Sequence, residues 1–189
     1  MGFKYKQTTK EILLFLATMG VITIAAASPY FLLNISRAIL RNKKYFKKRL
    51  DERKIAKLVE RLKRNRLIIL SDKNGKFKVE LTEKGKRIVK EIQFSDMVIK
   101  KPSTWDKKWR IVIFDIPDKY KKSARDVLRK KLKQLKFYQL QKSVWVTPYP
   151  CEKEIQFLCE LFDITPFVNI VVAEKIYDDI KLRRYFKLL

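Results

Sequence analysis

The sequence predicts an α+β chain in two parts, a helical part that ends in a β-hairpin and a βαββαβ part after it. Three observations carry this reading. Ile55, Leu58, Val59 and Leu62 recur at helical spacing just before two extended runs that meet at Asn74-Gly75. From residue 109 onward, short apolar runs and amphipathic stretches alternate in the order strand, helix, strand, strand, helix, strand. Between the parts, Pro102 and Ser103 interrupt regular structure. The expected division is residues 1–95, a linker at 96–106, and residues 107–189.

Charge sets the class of partner. The 189 residues hold 45 Lys and Arg against 20 Asp and Glu, a net charge of +25, with no His. Without His there is no Ser-His-Asp triad, no Cys-His pair and no His-ligated zinc. None of the four glycines falls in a GxGxxG or GxxxxGK pattern, which argues against dinucleotide and P-loop enzymes. A field this positive attracts polyanions, nucleic acid first and anionic membrane second. Cys151 and Cys159 stand eight apart on an expected helix, roughly 12 Å along its axis, too far for a disulfide. Cys151 at the helix start is a place where thiolate character can rise; packing is the plainer role.

Residues 12–36 carry no charge and are long enough to span a bilayer. Lys4, Lys6 and Lys10 ahead of Ala25-Ala26-Ala27 also imitate a signal peptide. Gly20 and Ser28-Pro29 divide the run, and cations flank both ends, so the asymmetry that orients a membrane span is missing. The expectation is a buried core of two helices. Residues 21–27 continue the first helix or form a short strand. Ser28 and Pro29 start the second helix, which runs to about residue 42. A membrane anchor is the alternative; a cytoplasmic protein is the reading preferred.

Residues 37–66 hold 14 Lys and Arg against Asp51, Glu52 and Glu60, a net of +11. The helix at 52–65 turns its apolar stripe inward and keeps Arg53, Lys54, Lys57, Arg61, Lys63 and Arg64 on its other faces. The hairpin that follows offers Lys73, Lys76 and Lys78, and Thr82 begins a further helix. Helix, helix, basic helix, hairpin, helix is the order of a winged helix-turn-helix, whose third helix enters the major groove while the wing lies against phosphates. The partner expected is double-stranded DNA. Arg61 or Arg64 could reach guanine edges, but Asn65 is the lone amide near this helix, so phosphate contacts should outnumber base contacts. A solvated charged helix is the plain alternative.

In the back half, residues 109–115 read as a strand ending in an acid, and 119–136 as a basic amphipathic helix. Residues 137–141 and 144–148 read as short strands, 151–162 as a helix and 167–173 as a final strand. The order is ferredoxin-like, with both helices on one sheet face. The other face must be covered by a second copy or by the front part. Phe137, Tyr138, Trp145 and Tyr149, interleaved with Lys136 and Lys142, could stack bases, but on such a sheet they belong more naturally to the core and a dimer interface.

These residues also carry a resemblance. Ile111-Val-Ile-Phe-Asp-Ile-Pro117, Ala124-Arg-Asp-Val-Leu-Arg129 and Gln139-Leu-Gln-Lys-Ser-Val-Trp-Val-Thr-Pro148 resemble the middle domain of PaaX-type transcriptional repressors. That domain is itself similar to the small ferredoxin-like endonuclease of CRISPR systems. The resemblance spans about 109–175, and the family places a winged helix ahead of this domain. PaaX-type repressors continue into a further domain beyond the point where this sequence stops, so acyl-CoA sensing is not carried over. The resemblance implies a DNA-binding regulator acting as a homodimer, with no cofactor required. Its endonuclease side implies an alternative, metal-dependent phosphodiester cleavage. There Asp115, matching an acid at the dimer interface, would be both metal ligand and catalytic residue for Mg²⁺, with Ser143 near the same interface. One carboxylate per subunit is a thin ligand set, and Asp118 is expected to cap the helix at 119–136 instead.

Overall fold

The computed structural model describes residues 5–25, 35–37, 39, 41, 51–73 and 76–188, with side chains left aside at 23–25, 72–73, 77 and 118–121. The chain divides into two compact units, Met1–Ser95 and Asp96–Leu189. It mixes helix and antiparallel sheet in both, an α+β architecture.

In the first unit α1 spans Gln7–Met19 and buries Ile12, Leu13, Phe15 and Leu16. It ends at Gly20, whose φ of 69° suits a residue without Cβ. The chain then extends as β1, Ile22–Ala25. Residues 12–25 of the uncharged opening stretch are therefore divided between a helix and a strand, and among the described residues no helix is long and apolar enough to cross a membrane. Residues 35–37, 39 and 41 are helical, with Ile35 and Ile39 fully buried. The expected start of that helix at Ser28-Pro29 lies outside the described residues.

The basic helix follows as α2, Glu52–Arg64, capped by Asp51, whose carboxylate accepts from the Arg53 N–H at 3.1 Å. β2 (Ile68–Lys73) and β3 (Lys76–Leu81) pair antiparallel with Lys73 opposite Lys76. Two residues join them, Asn74 and Gly75, which lie outside the described residues. β1 pairs with β3, so β3 is central in the order β1-β3-β2. α3, Glu83–Ser95, begins at Thr82, whose Oγ1 accepts from the Gly85 N–H and donates to the Arg66 carbonyl. One core joins these elements: α1, Ile35, Ile39, then Ile55, Val59 and Leu62 of α2, Val79 of β3, and Val89 and Ile92 of α3.

The second unit runs β4 (Trp109–Phe114), α4 (Asp118–Gln134), β5 (Tyr138–Gln141), β6 (Val144–Thr147), α5 (Glu152–Phe162), β7 (Val168–Ala173) and α6 (Ile180–Phe186). The sheet order is β5-β6-β4-β7, and each neighbouring pair is antiparallel. That is the split βαβ order of a ferredoxin-like sheet. Both crossovers join parallel strands across an intervening one. Strand direction and direction of travel both reverse between them, so a common right hand places α4 and α5 on one face. Val112, Phe114 and Trp145 are buried on that side.

Several expectations are revised here. The opposite face is covered in part by the chain itself: Leu182 and Phe186 of α6 pack with Trp109, Tyr138 and Val146. No signal in residues 174–189 had suggested this helix. Pro117, rather than Asp118, stands at the N-cap of α4, with no side-chain cap bond, so Asp118 is already the first helical residue. Trp105 and Asp106, read as linker, belong to the second unit: the Trp105 and Trp109 rings lie 5.0 Å apart, and Asp106 forms an ion pair with Arg110. The reason is that Arg110 is buried and needs a carboxylate near it.

Four helices end alike in a chain with only four glycines. Arg66, Lys136, Asp163 and Lys187 take a positive φ of 50–65° just past α2, α4, α5 and α6. In each case the next N–H returns to a carbonyl five residues back, from Leu67, Phe137, Ile164 and Leu188. An apolar residue after the turn anchors the reversal and offsets the strain of a side chain in the left-handed region.

Candidate nucleic-acid interface

The candidate interface is built on α2. With Ile55, Val59 and Leu62 turned inward, the helical repeat of 100° per residue places Arg53, Lys57 and Arg64 in a row on the side opposite the core. All three are exposed, with Glu60 between them. Lys54 and Lys63 are exposed on the two flanks. Arg61 is half-buried, and its Nη2 donates to Thr9 Oγ1 of α1 at 3.5 Å, so it leans toward the core rather than outward with Arg64. On the hairpin, Lys76 is exposed and Lys78 half-buried. Lys73 lies on β2, and its side chain is outside the described residues.

The helix C-terminus gains Lys63 and Arg64 near its partial negative charge. At its N-terminus Arg37 pairs with Glu52 at 3.1 Å, tying the preceding helical residues to α2. Lys84 Nζ donates to the Asn65 carbonyl at 3.1 Å, so α3 braces the other end. The row is thus presented by a helix fixed at both ends, and chemically it can do one thing well: neutralise regularly spaced anions.

The residues of the back half are distributed differently. Asp115 is exposed, directly after β4, and its backbone N–H donates to the Phe167 carbonyl at 3.0 Å. Ser143 is half-buried in the β5–β6 turn, its carbonyl accepting from the Phe114 N–H. No group of three or more His, Cys, Asp or Glu able to hold a metal gathers among the described residues. Asp115 thus offers a single exposed carboxylate at the end of β4.

The aromatic residues sit within the unit. Phe137 and Trp145 are buried, Tyr138 packs edge-on against Tyr185, and Tyr149 against Phe186. Cys151 stands at the N-cap of α5, but burial pushes its thiol up to about 12, and Cys159 likewise to about 11. Burial outweighs the helix terminus, so neither is a reactive thiolate; both are free.

What sequence reasoning missed is the staple at Arg110. Its guanidinium donates to Asp106 at 2.8 and 2.6 Å and to the Pro148 carbonyl at 3.2 Å. It lies 3.6 Å from Glu152 at the start of α5. Hydrogen bonding from Arg110 holds the Asp106 carboxyl down at about 2. A lone Arg at an inward position of a strand was the signal available.

A basic helix-and-hairpin unit followed by a ferredoxin-like unit defines the class: a two-unit α+β protein. Residues 102–183 match the family model of the PaaX protein central Cas2-like domain, so this stretch, somewhat under half of the 189 residues, is similar to that domain. No curated protein matches the chain.

Proposed function

We propose that the chain is a cytoplasmic, duplex-DNA-binding transcriptional regulator of the PaaX type, acting as a homodimer. The observation that carries this reading is the outward row Arg53, Lys57 and Arg64 on α2, immediately followed by a hairpin bearing Lys76 and Lys78. The succession α1, β1, a helical segment, α2, β2, β3, with β1 added beside β3, is the order of a winged helix. In that arrangement α2 enters the major groove and the hairpin follows the backbone. Such contact calls for no cofactor.

The second copy would dock on the open part of the sheet face shared with α6. Ile113 and Val171 lie there 39 % and 43 % exposed, beside half-buried Ile111 and Val144. Sedimentation equilibrium is expected to give twice the 22.7 kDa chain mass, and Val171→Glu to give the single mass.

The deciding experiment is a gel-shift titration over a salt series. Affinity for duplex DNA should fall steeply with salt, because counterion release dominates. Absence of affinity for any duplex at low salt refutes the reading. Cleavage of RNA or DNA by the wild type with Mg²⁺ or Mn²⁺, abolished in Asp115→Ala, would replace it with the nuclease alternative.

A further inference from the structure

We propose that the second unit carries a phosphate-binding strip of its own for duplex DNA, formed by Lys122, Lys130 and Lys133 on the outward face of α4 and by Lys142 in the β5–β6 turn. The proposal rests on the DNA-binding reading above and extends it to a surface that reading does not use.

The first support is where the charge lies. Residues 118–144 hold ten Lys and Arg against Asp118 and Asp126, a net of +8, while the whole of 96–189 carries +9. Everything else in the unit is nearly neutral. α5 has the same structural task as α4, an amphipathic crossover helix laid on the same sheet face, and it carries Glu152, Glu154 and Glu160 against Lys153. Packing and solubility therefore do not demand cations on such a helix. The unit concentrates one sign on one helix.

The second support is how the side chains are disposed. Leu128 and Leu132 are fully buried, and Lys131 turns inward with them, its ammonium pKa lowered by burial against the opposing pull of Asp96. Lys122, Lys130 and Lys133 are exposed, at i, i+8 and i+11 on the far side. The row is about 16 Å long at the helical rise. A duplex segment of that length carries about nine phosphate charges. Asp126 on the same face stands 3.6 Å from Arg129 Nη1, so its charge is answered within the helix. Arg129 Nε donates to the Lys142 carbonyl at 3.0 Å, which fixes the turn, and Lys142 with it, beside α4. Among the described residues none of Lys122, Lys130, Lys133 and Lys142 is in an ion pair.

The composition of the strip selects the polyanion. Its exposed neighbours on α4 are Ser123, Asp126 and Gln134, and among the described side chains of α4 no large apolar one is exposed. A helix that lies on a lipid surface sinks Trp, Phe or Leu between the headgroups. Among the described side chains of α4, none is exposed to do so. Point charges on long stems, with Leu140 of β5 the one exposed large apolar side chain among the described residues of 122–144, suit a regularly charged, solvated backbone.

The test uses the full chain and a fixed duplex over a salt series, with three variants. The Lys122→Gln, Lys130→Gln, Lys133→Gln, Lys142→Gln variant is expected to lower the slope of log affinity against log salt by about 3 to 4, since each phosphate left without its cation removes about 0.9. The same positions changed to Arg are expected to keep the wild-type slope. Arg53→Gln, Lys57→Gln, Arg64→Gln is expected to lower the slope by about 3 independently. If the α2 variant loses slope and the α4 Gln variant does not, the strip is refuted and the DNA-binding reading stands. If the Arg version loses slope as well, charge is not what these positions contribute, and the strip is refuted too. If the wild type binds no duplex, the underlying reading falls and takes the strip with it.

Discussion

Both units lay basic helices against an antiparallel sheet, yet they gather their charge by different means. In Met1–Ser95 the outward row of α2 and the lysines of the hairpin come from one continuous stretch of chain. In Asp96–Leu189 the cations of α4 are joined by a lysine across a turn, and the companion helix α5 is acidic. Core packing asks only that one stripe of each helix be apolar. The sign of the other face is left open, so a strong bias there speaks about partners rather than stability.

The comparison can be broken experimentally because Trp105, Trp109 and Trp145 all lie in the second unit. Tryptophan fluorescence reports that unit alone, and far-UV circular dichroism reports both. The largest effect is expected from Leu128→Ala. This fully buried side chain links α4 to the sheet, and its loss should cost about 2–5 kcal/mol. Denaturant titration should show the fluorescence midpoint falling. Equal movement of the dichroism of both units would mean that they unfold as one.

Gly85→Ala is the matching probe of the first unit. Alanine favours helix by about 1 kcal/mol over glycine, but here its Cβ would collide with the Leu67 carbonyl oxygen. The clash should win, with a net loss of about 1–3 kcal/mol. It should appear in dichroism and leave the fluorescence transition in place; a stabilised protein would contradict the close approach.

Asp106→Asn tests the Arg110 staple. The carboxylate is partly solvent-exposed, and Arg110 keeps Pro148, Lys108 and Glu152, so the loss should be about 1 kcal/mol. The folded carboxyl titrates at about 2, below its ordinary 3.8. Its contribution is therefore complete above pH 4 and fades as pH falls toward 2. The difference between wild type and variant in the fluorescence midpoint should shrink over that window; a constant difference would count against the ion pair.

The smallest effect is expected from Arg66→Gly. Arg66 has a φ of 56° beyond α2. Glycine relieves that strain but gains freedom in the unfolded chain, leaving a net gain of about 0.5 kcal/mol or less. A loss larger than that in thermal unfolding would show that the Arg66 side chain itself holds the turn.

Much of this was legible before the structure. The stripe Ile55, Val59 and Leu62, the strands at 109–114 and 144–147, and the helix at 152–162 follow from apolar periodicity, which is local. The opening stretch was harder, because a wholly apolar run has no period to read. Gly20 proved the informative residue, ending the helix where β1 could begin. α6 was missed because Leu182 and Phe186 stand among Asp179, Lys181, Arg183, Arg184 and Lys187, and their burial depends on Trp109 from far away in sequence. Of the interface, α2 could be anticipated from composition. The inward lean of Arg61 toward Thr9 could not, since it needs the packing of α1 on α2.

The position of β1 has a further consequence. The hairpin closes over two residues, whereas Ile22 meets Val79 only after more than fifty residues of intervening chain. Closing so long a loop is entropically slow. Until it happens, the middle strand of the small sheet is bare along one side. A nascent or clipped form lacking its first 25 residues would expose that row of N–H and C=O groups to other molecules. β1 takes up that row of β3 and, at four residues, leaves only a short edge of its own.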